Sequence, residues 1–196
     1  MKIISFNLDG LHNAAQRGFF DWMVAQQADV VCLQQTLSHE HELPEPLRQP
    51  GGYFSYFYDA YEKEHGGVAI YCKRPPKAVM RGLGLMEADV EGRYMQVDYD
   101  QISIVSLCLP AVTLQDEHNR QLRQQMRKKL LNHLGKVRNK RREFIFCGDF
   151  QVAHLDIDSL NSTEAQDNHC LSDELGEWRD DLLDGAGYVD AFRELN

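Results

Sequence analysis

The chain has 196 residues, of which 43% are hydrophobic and 26% charged, proportions typical of a globular domain. It has no run near the roughly 20 apolar residues of a membrane span, and residues 1–6 become polar too soon for a signal peptide, so we expect a cytoplasmic protein. The net charge of −9 disfavours autonomous binding to nucleic acid, which depends on Lys and Arg neutralising phosphates.

The first quarter of the chain alternates strand and helix patterns. Residues 3–7 and 29–33 are short apolar runs, and residues 13–27 between them have helical spacing. The predicted buried face of this helix carries Phe19, Phe20, Trp22 and Met23. A β-α-β unit of this kind predicts two parallel strands. Residues 39–50 contain three prolines and are predicted to form a loop.

The remaining pattern adds strand pairs and one long helix. Strands are predicted in residues 53–61, 66–73, 93–98, 102–109 and 143–147, and helical or short elements in residues 115–137, 172–183 and 189–195. Residues 93–98 and 102–109 flank a turn and predict a hairpin. Neither an internal repeat nor a linker divides the sequence, so residues 1–196 are predicted to form a single domain with a mixed sheet system.

The helix predicted over residues 115–137 carries an apolar stripe on one face, and we expect its basic residues to lie on the opposite, exposed face. The basic run continues past the helix, whereas much of the acidic excess follows Asp149. This asymmetry predicts a basic face on an acidic protein, and a solvated charged surface is the alternative. The candidates for contact with RNA or a partner are Arg138, Lys140, Arg141 and Arg142.

Polar residues follow three predicted strands at their carboxyl ends. Asn7 ends the first strand, Gln35 follows the second, and Asp149 and Gln151 follow the strand at residues 143–147. Strand ends are where α/β proteins place their sites, so we expect these residues to lie together. Taken singly, Asn7 has a simpler explanation as a cap and Asp149 as a turn residue. Only the set of three strand ends favours a shared site.

These segments resemble three motifs of the exonuclease III-like endonuclease/exonuclease/phosphatase superfamily, which read S-x-N-x-x-G, L-Q-E-T and G-D-x-N in catalytic members. Residues 65–69, 91–93 and 187–193 are similar to its H-x-G-V-A, E-G-R and G-x-x-D-x-F-R motifs, in the same order. The resemblance implies a four-layer α/β/β/α sandwich. It also implies a phosphodiester-cleaving site in which Asp149 is a base and Asn7 a neighbouring polar group.

Several positions depart from the catalytic pattern. Gln35 stands where the superfamily has a metal-binding Glu, Gln151 where it has Asn, and Cys108 where it has Tyr. Gln35 keeps an oxygen but not the charge, which predicts weak binding of Mg²⁺ because that ion dehydrates reluctantly. The superfamily's W-R-x-D-Y and S-D-H segments do not occur, so the domain is expected to be C-terminally incomplete.

Closer similarity joins the chain to one subgroup, the bacterial catabolite repression control (Crc) proteins. It is visible in residues 14–18, 28–34, 76–79 and 140–143. This resemblance implies a catalytically degenerate nuclease fold that represses translation of A-rich mRNA together with the RNA chaperone Hfq, with no cofactor. The alternative, which the retained Asp149 favours, is a Mg²⁺-dependent abasic-site endonuclease or exodeoxyribonuclease III-like enzyme. A protein-interaction scaffold without RNA contact is a third possibility.

Three further patterns have simpler explanations than a site. Residues 39–42 read His-Glu-His-Glu and invite a metal hypothesis, but their polar, proline-bearing surroundings favour a solvated loop. The aromatic residues at 53–58 have the character of base-stacking groups, but their strand spacing favours core packing. His154 is expected to brace the loop after Asp149. The five cysteines, without a C-x-x-C spacing, are expected to be mostly buried thiols.

Overall fold

The structure is a computed structural model that describes residues 1–111, 116–138, 140, 142–150 and 181–195. The chain divides into two compact units, Met1–Leu109 with Arg141–Phe150, and Pro110–Lys140 with Gln151–Asn196. Each unit is described by itself below, and the single domain stays a prediction.

Two four-stranded mixed sheets form the first unit. The first sheet has the order β1-β2-β4-β3, with β1 (Ile3–Asn7), β2 (Val30–Gln34), β3 (Phe54–Tyr58) and β4 (Val68–Cys72). The second has the order β5-β6-β7-β8, with β5 (Ala78–Arg81), β6 (Tyr94–Asp98), β7 (Ile102–Cys108) and β8 (Glu143–Asp149). The pairs β1–β2 and β7–β8 are parallel and the others antiparallel. The predicted parallel pair and hairpin are therefore confirmed.

The two sheets pack face to face through an apolar layer. Its buried members include Val30, Cys32, Ile70, Met95, Val97 and Ile104. The other face of the first sheet packs against α1 (Leu11–Gln16) and α2 (Phe19–Gln26), through residues that include Val31, Leu33 and Tyr71. The first unit is thus an α/β sandwich of two mixed sheets with helices, as predicted. Three of its cysteines, Cys32, Cys72 and Cys108, are buried free thiols.

The single helix predicted over residues 13–27 is two helices. Gly18, at φ 79°, adopts the left-handed conformation that glycine accepts without steric cost, and it separates α1 from α2. Phe19, Phe20 and Met23 are buried as predicted, but Trp22 is 42% exposed. The prediction for Trp22 was wrong because its indole lies at the edge of the buried face of α2, where it packs on Phe6 and Phe19 at the surface.

The predicted loop at residues 39–50 is more ordered than its prolines suggest. It contains a 3₁₀ helix at Glu40–Glu42 and the short α3 (Glu45–Arg48), and a 3₁₀ helix at Pro50–Gly52 follows. Proline is tolerated in a first helical turn, where its missing N–H has no intrahelical partner. The aromatic run that follows is partly core, because Tyr53 and Phe57 are buried while Phe54 is 46% exposed.

Two short elements complete the first unit, a 3₁₀ helix at Lys63–His65 and α4 (Met86–Val90). In the second unit, Asp116 is the N-cap of α5 (Glu117–Val137). Its carboxylate accepts a hydrogen bond from Asn119 N at 3.0 Å. A π-helical turn at Asp181–Gly185 and α6 (Ala191–Leu195) follow. The part of the predicted helix at residues 172–180 lies outside the described residues, as do His154 and Cys170.

Helix α5 buries its apolar stripe, which includes Leu122, Met126, Leu130, Leu134 and Val137. Arg123 and Arg127 are also buried, which corrects the expectation that the basic residues lie on the opposite, exposed face. Their long aliphatic stems allow Arg side chains to contribute to such packing. None of the helices in the described ranges could cross a lipid bilayer.

Candidate active site

The carboxyl ends of the two parallel pairs meet across the sandwich. β1 and β8 belong to different sheets, yet Asn7 Nδ2 donates to Asp149 Oδ2 at 2.5 Å. Asn7 also orients the turn that follows β1, since its Oδ1 accepts from Asp9 N at 3.4 Å. The structure therefore brings together two of the residues that the strand-end patterns single out. Gln151 lies outside the described residues.

Gln35 reaches the same place from β2. Its backbone is left-handed at φ 52°, and its carbonyl accepts from Gly10 N at 2.9 Å, which ties the loop after β2 to the start of α1. The Gln35 side-chain amide is close enough to the sulfur of Cys108 to lower the pKa of its thiol, and Cys108 stands opposite Asp149 in the β7–β8 register. Four polar side chains, Gln35, Cys108, Asp149 and Asn7, thus form one continuous group at the strand ends.

Cys108 is a neutral member of this group at physiological pH. Burial raises the pKa of its thiol to about 11, while the nearby Arg93 guanidinium and the Gln35 amide lower it by less. A thiol in that state is a weak hydrogen-bond donor and a poor nucleophile or metal ligand, because the thiolate is the reactive form. Cys108 therefore contributes shape and a hydrogen bond at this position.

A buried polar bridge fixes the two sheets beneath the site. Gln34, fully buried at the end of β2, donates from Nε2 to Ser106 Oγ on β7 at 3.0 Å. Ser106 Oγ in turn donates to Leu33 O at 3.1 Å, and Ser5 Oγ on β1 donates to Gln34 Oε1 at 3.4 Å. Sequence patterns did not single out this bridge, and the only signal for it is a polar residue inside each apolar strand run.

Arg93 also stabilises the site, and the sequence analysis assigned it no role. It is 7% exposed, is paired with Glu91, and donates to Cys108 O at 3.3 Å and His65 O at 3.1 Å. The glycine between Glu91 and Arg93 is required, because a Cβ on Gly92 would lie 2.3 Å from Tyr58 O. The E-G-R motif therefore links the loop before β4 to the end of β7.

The donor set at the strand ends fits a divalent cation poorly. Asn7, Gln35 and Asp149 contribute one carboxylate and two amides, and the carboxylate of Glu91 near Cys108 is engaged by Arg93. Mg²⁺ needs near-octahedral oxygen ligands, usually with carboxylates among them. Gln35 occupies the position implied for a metal ligand but brings no charge to it.

The residues predicted to contact RNA or a partner differ in their surroundings. Lys140 and Arg138 are exposed, and Arg138 Nη1 lies 3.5 Å from Gly185 O. Arg142 is half-buried and donates to Tyr99 O at 2.6 Å and Ile102 O at 3.2 Å, so it holds the turn between β6 and β7. Arg141 lies outside the described residues. A contact with RNA stays a prediction for all four.

The sequence matches the model of the "Endonuclease/Exonuclease/phosphatase family" over residues 4–192. It is 30% identical to an "Exodeoxyribonuclease" of Bacillus subtilis over 196 residues, which span all of this chain and 75% of that protein. It is 31% identical to the "DNA repair nuclease APEX1" of Danio rerio over 200 residues, which span all of this chain and 63% of that protein.

Solved structures of nucleases have the same fold as this chain. An AP endonuclease from Archaeoglobus fulgidus superimposes with a TM-score of 0.84 at 25% identity, over 99% of this chain and 74% of that one. The 3'-5' exonuclease NExo from Neisseria meningitidis superimposes with a TM-score of 0.82 at 21% identity, over 99% and 74% of the two chains. The second likeness concerns the fold alone.

Proposed function

Because this chain belongs to the endonuclease/exonuclease/phosphatase family, we propose that its strand-end site engages the phosphodiester backbone of nucleic acid, and that it does so with little or no cleavage. Phosphodiester hydrolysis needs a cation to stabilise the developing charge, an oriented water and an acid for the leaving group. The observation that carries the proposal is the neutral amide of Gln35, which lies close to Cys108, the residue paired with Asp149 in the β7–β8 register.

The biological role that we propose is post-transcriptional regulation. The likeness to catabolite repression control proteins rests on sequence motifs, and it suggests repression of A-rich mRNA in a joint complex with the RNA chaperone Hfq. A net charge of −9 agrees with a need for a partner, because a protein this acidic gains little from phosphate neutralisation on its own. In this role no cofactor is required, and Asp149 serves the geometry of the site through Asn7.

The alternative is a Mg²⁺-dependent abasic-site endonuclease or exonuclease. The names of the relatives support it more directly than they support regulation, since one relative is described as an exodeoxyribonuclease and another as a DNA repair nuclease. The contact between Asn7 and Asp149 also supports it, because a retained carboxylate held by an amide is suited to orienting a water. Under this alternative Asp149 is the base.

Cleavage of a duplex with one abasic site, in millimolar Mg²⁺, separates the two candidates. We expect turnover at least about a hundredfold below that of the Bacillus subtilis relative assayed in parallel, the usual effect of removing one group that stabilises the transition state. Asp149→Asn, which keeps the size of the side chain, is the matched variant. Robust cleavage by the wild type that disappears in Asp149→Asn would establish the enzyme and reject the regulator.

A further inference from the structure

Three side chains in the loop after β2 have the composition of a transition-metal site. His39, His41 and Glu42 lie in and beside the 3₁₀ helix at Glu40–Glu42, and their ligand atoms all lie within 4.8 Å of one another. The two imidazole rings are stacked, with 5.3 Å between their centroids. These residues are distinct from the strand-end group, and the proposal below does not depend on the proposed function.

The surroundings of His39 select the nitrogen that would bind a metal. His39 Nε2 lies 3.1 Å from the carbonyl oxygen of Ala60, which is buried. A carbonyl only accepts, so Nε2 carries the hydrogen, and in the neutral ring Nδ1 then keeps its lone pair. Nδ1 is directed to the cluster, 3.9 Å from Glu42 Oε1. Metal-binding histidines commonly donate their second ring N–H to a carbonyl or carboxylate in this way, which fixes the tautomer and the ring orientation.

The turn is held from beneath by Asp59. Its Oδ2 accepts from Glu40 N at 2.8 Å, so the backbone between the two histidines is fixed. Asp59 Oδ1 is buried and has no hydrogen-bond partner among the described residues. A half-buried acidic group behind the two rings adds a field that favours a cation between them.

We propose that His39 Nδ1, His41 and Glu42 bind Zn²⁺ or a similar transition-metal ion. Two imidazoles and a carboxylate suit Zn²⁺, whereas Mg²⁺ takes oxygen ligands. Tetrahedral Zn²⁺ with bonds of about 2.0–2.2 Å holds its ligand atoms about 3.4 Å apart, so the cluster must contract from its present spacing. Such contraction is accessible because His41 and Glu42 are exposed side chains at the surface.

Lys63 is the competitor for this site. Its ammonium nitrogen lies 3.1 Å from Glu42 Oε2 and 3.3 Å from Glu42 Oε1. A cation at the cluster would have to share this carboxylate with a second positive charge. Removing the ammonium should therefore tighten metal binding, whereas a site that uses other residues would be indifferent to Lys63.

Calorimetric titration of the whole chain with ZnCl₂ tests the proposal. The wild type is expected to bind one ion at the cluster, and His39→Ala with His41→Ala is expected to weaken that binding at least about tenfold, since two of three ligands are gone. Lys63→Met should strengthen it. The matched control is His12→Ala with His118→Ala, which removes two exposed imidazoles elsewhere and should leave the affinity unchanged.

Nitrogen-15 NMR of the imidazoles supplies a readout specific to His39. Addition of Zn²⁺ should shift the Nδ1 resonance of His39 while Nε2 stays protonated. The proposal is overturned if the His39/His41 double variant, folded by circular dichroism, binds Zn²⁺ as tightly as the wild type. It is equally overturned if the His39 resonances do not move at saturating Zn²⁺.

Discussion

The chemistry of the strand ends depends on Gln35, one neutral amide among groups that could otherwise hold a cation. Its side chain lies close to Cys108, and its backbone carbonyl accepts a hydrogen bond from Gly10 N at the start of α1. Its loop is shaped by the left-handed backbone and by Gly67, where a Cβ would lie 2.2 Å from Thr36 Oγ1. The position is therefore rigid, and a change of charge there should act without rebuilding the loop.

Gln35→Glu is expected to increase the affinity for Mg²⁺ or Mn²⁺ by about tenfold or more, because it places a second carboxylate beside Asp149. It is not expected to restore cleavage of abasic DNA, because a metal alone supplies neither an acid nor a base. Isothermal titration with MnCl₂ measures the first effect. Asp149→Asn in the same background is the control and should remove the gain. Unchanged metal affinity in Gln35→Glu would place the ancestral metal position elsewhere.

Cys108 predicts a pH dependence of stability. Its folded pKa of about 11 lies above the ordinary thiol value of 9.0, so the stability that the neutral thiol contributes is present below about pH 9 and is lost as pH rises toward 11. Each such thiol contributes a slope of up to about 1.4 kcal/mol per pH unit in that window. Cys108→Ala should flatten the decline in urea-unfolding free energy between pH 9 and 11. Cys72, with a pKa also raised to about 11, is the parallel case, and the two effects should add.

At the scale of the elements, the parallel pair β7–β8 sets the position of Asp149. The strands approach closely just before the site, because a Cβ on Gly148 would lie 2.3 Å from Leu107 O and 2.8 Å from Leu107 Cγ. The backbone of β8 then continues into the pairing of Leu109 N with Asp149 O at 2.9 Å. The glycine of the G-D motif is thus a requirement of strand packing.

Gly148→Ala is expected to lower the free energy of unfolding by about 1–3 kcal/mol, the usual cost of overpacking, because the clash is with backbone. Displacement of Asp149 should accompany it and be visible as chemical-shift changes at Asn7. Gly135→Ala in α5 is the matched control. Nothing lies within 4 Å of a Cβ there, and alanine in a helix should stabilise by about 0.5–1 kcal/mol. Equal effects of the two substitutions would contradict this account of Gly148.

At the scale of the whole molecule, the proposed regulatory role requires an acidic protein to contact RNA. In α5, Arg123 and Arg127 are buried, while Lys128, Lys129 and Lys136 are exposed. Arg142 holds the β6–β7 turn, so its substitution would test folding as well as binding. The exposed basic residues at and beyond the end of α5, including Arg138 and Lys140, are therefore the sharper candidates for contact with phosphates.

If the proposed complex with Hfq and A-rich RNA forms, replacing Arg138 and Lys140 with Gln should weaken it for all A-rich sequences alike. The salt dependence should become shallower, by up to about one log–log unit for each phosphate that is no longer neutralised. A mobility-shift series across salt concentrations measures both. Lys77→Gln, which removes an exposed lysine of the first unit, is the control. An unchanged affinity and slope in the double variant would assign these residues to a solvated surface.

The sequence predicted the parts of the molecule that follow from local pattern. Short apolar and aromatic runs located every strand of the first unit except β5 (Ala78–Arg81), which was missed, and the motif order predicted the sandwich and the meeting of Asn7 with Asp149. It failed where one residue changes the chain direction, as at Gly18, or where long-range packing decides burial, as for Trp22, Arg123 and Arg127. The Gln34–Ser106 bridge was missed because no local pattern pairs residues 72 positions apart.

The contact between Asn7 and Asp149 has a consequence for how the protein responds to substitutions. Asn7 and Asp149 lie on separate sheets, so the distance between their side chains depends on how the two sheets are aligned. Slippage of one sheet over the other by a fraction of a strand repeat would part the two side chains while leaving both sheets intact. Substitutions inside the apolar layer between the sheets, at Ile104 or Val30 for example, should therefore break the contact between Asn7 and Asp149 before they unfold the protein.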